Sequence, residues 1–178
     1  MREISGDMRW HIAARSASSL PVLYAVVFRE RIGDECDRLV EEVWCQVGEE
    51  VREIARGLNL PVAPVERLAA SLLEIARTLF GPEFRGEILD LSPDRAVILM
   101  NKCPFLMRAR EIGVNDSVVF NPCLAFCISA TETLHKDYSV RFIRAMCMGD
   151  RNCEIRMARK DLLEKDMDLA AEKDENNG

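Results

Sequence analysis

The apolar residues of this chain change their period at Gly81-Pro82. Before that dipeptide they recur at steps of three and four, the repeat of an amphipathic helix. After it they gather into short runs rich in Ile, Leu and Val, as strands do. Helices first and strands later make segregated layers, so the expected class is α+β: N-terminal helices packed on an antiparallel sheet of about four strands, with further helices.

Upstream of the change, Cys36, Val40, Val43, Val47, Val51 and Ile54 put an apolar stripe on a helix over residues 34–56, and Gly57 stands where a left-handed cap belongs. Residues 10–31 read as helix in two pieces, because Pro21 cannot continue an interior hydrogen-bond ladder. A third helix is expected over 64–80, with Pro64 in its first turn, Val65, Leu68, Leu72, Ile75 and Leu79 on one face, and Gly81-Pro82 as its stop. Downstream, 87–91 and 95–100 read as a hairpin across Ser92-Pro93-Asp94. A short helix follows over 104–112, closed by Gly113. A longer one opens at Asn121-Pro122, a favourable cap and first residue, and continues to about residue 136. Two last strands, 140–148 and 152–158, join at Gly149-Asp150-Arg151. From Lys160 charges dominate, with seven acids between Asp161 and Glu175. Residues 1–159 are therefore expected to form a single domain and 160–178 an acidic tail, either a frayed helix or disordered.

Charge narrows the function classes. With 24 Lys and Arg against 30 Asp and Glu the net charge is -6, and no basic cluster with interleaved aromatics occurs, which argues against nucleic acid as a partner. The longest apolar run near the start, Leu20 to Phe28, has nine residues against the roughly 20 of a bilayer-spanning helix, so no membrane span is expected. The same run reads either as a core helix of one subunit or as the interface of a homodimer. Residues 1–7 mix both charges without the order of a secretory signal, and the expected compartment is the cytoplasm.

Cysteine is the compositional excess. There are seven, and Cys103, Cys123, Cys127, Cys147 and Cys153 fall within 51 residues. An odd number without an export signal disfavours a disulfide framework. Cys36, on an apolar stripe, reads as core filler, and Cys45 falls off that stripe. If the last hairpin pairs symmetrically about Asp150, Ile143 faces Met157, Ala145 faces Ile155 and Cys147 faces Cys153, all on one side of the sheet. Cys123 and Cys127, four apart, share a helix face, and Cys103 ends the second strand. Soft thiolates at a shared site select zinc, copper(I) or an iron-sulfur cluster, and zinc or an iron-sulfur cluster is the expected cofactor. The spacing lacks a Cys-x-x-Cys pair, so zinc fingers, ribbons and thioredoxin-type motifs gain no support. The other readings of these thiols are packing residues lining one core, or a reactive cysteine. In a metal-free hydrolase, Cys153 would be the reactive thiol and His135, eight residues beyond Cys127, the base. His135 could equally serve the dipole at a helix end, and His11 reads as structural. No Gly-x-Ser-x-Gly, phosphate loop or dinucleotide fingerprint occurs.

The order Cys103-Pro104-Phe105, Gly113, Cys123, Met146-Cys147-Met148-Gly149-Asp150 and Cys153-Glu154-Ile155 resembles the proteins grouped with L-2-amino-thiazoline-4-carboxylic acid hydrolase. The closing Gly-x-x-x-Cys hairpin is similar to that of the 4-vinyl reductase ligand-binding domain. Both resemblances are strongest over about 87–158. The first implies a compact α+β domain acting on a small sulfur- or nitrogen-containing molecule, and the second implies a ligand-binding sensor module. Cys103, Cys123 and Cys153 match the motif positions best.

Overall fold

The computed structural model describes residues 3–92 and 94–165. In chain order the elements are α1 (Gly6–Ile32), α2 (Glu35–Glu49), α3 (Val51–Gly57), α4 (Val65–Phe80), β1 (Arg85–Ser92), β2 (Arg95–Lys102), α5 (Pro104–Ile112), a 3-10 turn (Asp116–Val119), α6 (Phe120–Leu134), β3 (Tyr138–Arg144), a second 3-10 turn (Met146–Met148) and β4 (Cys153–Arg159). The four strands form one antiparallel sheet in the order β1-β2-β4-β3, as the α+β expectation requires. Residues 160–165 are helical, and the rest of the acidic tail lies outside the described residues.

The helical half departs from expectation in two places. α1 is one helix of 27 residues rather than two pieces, with Pro21 inside it. Its small inner residues Ala14, Ser18, Val22 and Ala25 are buried, and this packing holds the helix together where Pro21 removes one internal donor. The 34–56 stripe is two helices, broken at Glu50, and its buried positions include Trp44 and Gly48 while Val43 is exposed. The left-handed residue after α3 is Asn59 at φ 53°, not Gly57. At Gly48 a β-carbon would stand 2.7 Å from Ser129 Cβ, so the missing side chain is what lets α2 lie directly on α6. Averaged along the helix, Gly6–Ile32 and Asp116–Leu134 are both long and apolar enough to cross a bilayer, and both pack one face inside this domain.

One face of the sheet carries the core. Ala96, Ile98 and Met100 of β2 and Cys153, Ile155 and Met157 of β4 are buried at alternate positions, with Val140 of β3 beside them. α4 packs on β1, β2 and β4, and α6 on β3.

The last hairpin corrects the symmetric register. Val140, not Ile143, lies opposite Met157, and Phe142 lies opposite Ile155, three residues from the expected pairing, with an irregularity before Arg144. An odd shift turns every β3 side chain to the other face, and Ile143 accordingly is exposed. The physical reason is the connection. Met146–Met148 winds into a 3-10 turn, Gly149 follows at φ 104°, and the Asp150 carboxylate accepts from the Ala145 N–H at 2.8 Å. That local alternative uses residues 145–150 as a loop, so Cys147 leaves the strand and no longer faces Cys153 across a ladder.

Candidate ligand cavity

Between the helices and the sheet lies an apolar cavity of about 70 Å³. α1 lines it with Pro21, Val22 and Ala25, α2 with Val40 and Trp44, and α4 with Leu72, Leu73, Ala76 and Phe80. The sheet adds Ile98, Met100 and Ile155, and α6 adds Pro122, Cys123, Phe126 and Cys127, with Cys103 and Phe105 at the α5 end. Each contribution comes from the buried face of an amphipathic element, which is why one cavity draws on so many. Of the five rings that line it, Trp44, Phe80, Phe84, Phe105 and Phe126, four frame it closely: Trp44 and Phe105 meet edge to face at 5.0 Å between centroids, Phe80 and Phe105 at 5.0 Å, and Phe80 and Phe126 at 5.3 Å. Among the described residues, no charged side chain lines the wall.

The size is informative. A water needs about 10–15 Å³ of such space and occupies roughly 30 Å³ of liquid, so 70 Å³ has room for a body of about six carbon atoms. A single aromatic ring fits, whereas a long acyl chain requires the helices to part.

The thiols converge on this region. Cys103, Cys123, Cys147 and Cys153 line a second, smaller cavity of about 20 Å³ beside the first, while Cys127 lines the larger one, to which Cys103 and Cys123 also belong. Cys123 and Cys127 share a face of α6, and the Cys123 thiol is hydrogen-bonded to Cys127. The Sγ of Cys153 accepts from the Met146 N–H at 3.3 Å. Burial pushes Cys103 up to about 12, Cys147 up to about 12 and Cys153 up to about 11 from the ordinary 9.0, and neighbouring thiols push the same way. The bond to Cys127, and burial after it, raise Cys123 strongly. All four are therefore neutral thiols at neutral pH. Among the described residues, no group of three or more His, Cys, Asp or Glu side chains is arranged to hold a metal ion.

His135 is placed elsewhere. It caps the C-terminus of α6, its ring packs edge to face on Tyr138 at 4.8 Å, and its Nδ1 lies 4.0 Å from the Asp137 carboxylate. It lines neither cavity. Tyr138 begins β3, while Cys153 pairs beyond the other end of that strand, so roughly 20 Å of strand separates His135 from Cys153. The two are not brought together as thiol and base. Cys36 is buried against the Ala25 carbonyl, and Cys45 is exposed.

The wall residues Trp44, Phe80 and Phe126 were not singled out by sequence reasoning, and Phe105 entered only as part of the Cys103-Pro104-Phe105 motif. A signal exists: aromatics make up only 6% of the chain, and these four sit at inward-facing helix positions.

No family model matches the chain, and no curated protein does. Solved structures share its fold. One is a trafficking protein particle complex subunit 3 from Naegleria fowleri covalently bound to palmitic acid, 14% identical over 82% of this chain and 95% of that one, with a TM-score of 0.58. Another is the phenol-responsive sensory domain of the transcription activator PoxR with phenol, 11% identical over 82% of this chain and 74% of that one, with a TM-score of 0.56. At these identities the likeness shows the fold alone. Neither structure is described as a thiazoline-carboxylate hydrolase.

Proposed function

We propose that this chain binds a small apolar molecule, of the size of one aromatic ring, in the cavity between its helices and its sheet. The carrying observation is the cavity itself: walled by carbon and sulfur, framed by four rings, and enclosed by elements from both layers. That similar folds hold palmitic acid or phenol supports a sensory or carrier module over an enzyme. The separation of His135 from Cys153 weighs in the same direction. Calorimetric titration with phenol and with cyclohexanol tests the reading. Both should bind to the native chain, and Ala76→Leu, which adds carbon inside the cavity, should weaken them at least tenfold while stability falls by no more than about 3 kcal/mol, the upper range for overpacking. Undiminished binding to the variant would place the ligand elsewhere.

Zinc or an iron-sulfur cluster on Cys103, Cys123, Cys127, Cys147 and Cys153 is the competing reading, favoured by the convergence of four of these thiols on one small cavity. Metal analysis of protein purified without oxygen separates the two, because the ligand reading requires no stoichiometric metal.

We propose also that a second copy of the chain covers the outer face of α1. Opposite its buried stripe the helix exposes Ile12, Leu20, Leu23, Tyr24, Val27 and Phe28, with no charge between Arg15 and Arg29. A helix apolar on both sides is a covered helix. Ala13, Ser16, Leu20, Leu23 and Val27 alternate steps of three and four, the seam of paired helices. Antiparallel pairing about Leu20 sets small Ala13, Ser16 and Ala17 against large Val27, Tyr24 and Leu23. Light scattering should give twice the chain mass for the native protein and the chain mass for Leu23→Glu/Val27→Glu. A native monomer that partitions onto lipid vesicles would instead make a bilayer the cover.

A further inference from the structure

Against the apolar cavity lies a second hollow of about 260 Å³, and Ala25, Val40, Val118 and Pro122 line both. The second hollow therefore adjoins the first, where a mouth to it would lie. Its rim differs in kind from the wall. Arg29 stands four residues from Ala25 on α1, and Asp37 three residues before Val40 on α2, so each lies one turn from a wall residue on the same helix face. Ser117 and Asn121, where α6 begins, line the hollow as well. Arg29 and Asp37 form an ion pair across the mouth.

We infer that this mouth holds the anionic end of the ligand, so that the preferred ligand is an aryl or short-chain alkyl carboxylate whose body fills the cavity and whose carboxylate takes Arg29 in place of Asp37. The inference rests on the cavity reading above and names the chemical class that reading leaves open. Three observations carry it. The body of the cavity offers only thiols and one indole as polar groups, so a charged end has to stay at the mouth. The Arg29 and Asp37 side chains are 45% and 40% exposed, and an ion pair so exposed is weak, so a carboxylate arriving from the cavity exchanges with Asp37 at little cost. A guanidinium presents a planar fork of donors that matches a carboxylate. Ser117 and Asn121 add side-chain donors, and the start of α6 adds the positive end of a helix dipole, against the carboxylate of Asp37, with Asp34 also near enough to act on Arg29.

Three ligands with one body decide the matter: 3-phenylpropanoate, 3-phenylpropanol and 3-phenylpropylamine, titrated calorimetrically into the full chain. The acid should bind about tenfold tighter than the alcohol, and the amine weakest. Arg29→Gln should bring the acid down to the level of the alcohol and leave the alcohol unchanged. Asp37→Asn frees the guanidinium and should strengthen the acid severalfold. The two variants act in opposite directions at exposed positions, so a fold defect in one, visible by circular dichroism, leaves the other decisive. Equal binding of acid and alcohol to the native chain, or a preference for the amine, overturns the mouth assignment and leaves the cavity reading intact. Binding of none of the three removes the cavity reading, and the mouth assignment with it.

Discussion

At neutral pH, Cys45 should react with a disulfide reagent in a fast phase, while Cys103, Cys147 and Cys153 follow about a hundred to a thousand times more slowly and Cys123 belongs to the slow phase with them. The thiolate is the reacting species, and each tenfold drop in its fraction slows the reaction by the same factor. With Cys103 and Cys147 up to about 12 and Cys153 up to about 11 against an ordinary 9.0, that fraction falls by two to three powers of ten, whereas Cys45 stands exposed. Alkylation followed by peptide mass mapping assigns each phase to its residue. A fast phase containing several of the clustered thiols would show the cluster to be open. The same groups set an alkaline limit. Each favours the protonated form in the folded state more than in the unfolded chain, so its contribution is complete below pH 9 and is lost as pH rises toward 11 and 12. Denaturation midpoints should be level up to about pH 9 and fall above it. Cys103→Ala should flatten part of that fall.

Phe126→Ala should cost about 3–5 kcal/mol of stability, the range for removing a buried ring from a core that relaxes only in part. Phe126 is 4% exposed and touches both Trp44 and Phe80, at 6.0 and 5.3 Å between centroids. Its loss removes ring contacts with two partners together and merges its own volume with the existing cavity. Urea denaturation measures the first effect. The second has the opposite sign for ligands: a body longer than one ring, such as naphthol, should bind the variant better than the native chain. A loss below about 1 kcal/mol would mean that the four rings do not form a single packed frame.

The contrast between α4 and β3 shows which parts of this fold are legible in sequence. α4 begins after Pro64 and ends before Gly81 at φ 79°, and both punctuation marks are local. The β1–β2 hairpin, α5 and its Gly113 cap are read from equally local signals. α1 is continuous through Pro21 because the surface it packs on compensates one lost donor, and a sequence does not display that surface. The β3–β4 register turns on whether residues 145–150 extend or coil. The choice is made by a side chain, Asp150, binding a backbone group five residues away, which periodicity does not encode. Cys147 and Cys153 line one small cavity despite the different register because Cys147 sits in the short loop that leads to Cys153. The cavity was not legible at all: it is a property of five helices and two strands meeting, and each wall residue taken singly is an ordinary core residue.

α1 takes part in two surfaces with one rigid body. Its inner side, Pro21, Val22 and Ala25, is wall to the cavity, and its outer side, Leu20, Leu23 and Val27, is the face assigned to a second copy. Less than one turn of helix separates the two. Whatever a ligand gains or loses by shifting α1 is therefore felt at the outer seam, and thermodynamic reciprocity makes the traffic equal in both directions. Because a pair carries two cavities, a ligand that tightens self-association tenfold on filling both would be bound about threefold more tightly at each site of the pair than by the single chain. With the proposed ligand and the proposed second copy both bound, such a chain would report the concentration of its ligand through its own assembly, without any moving part beyond one helix.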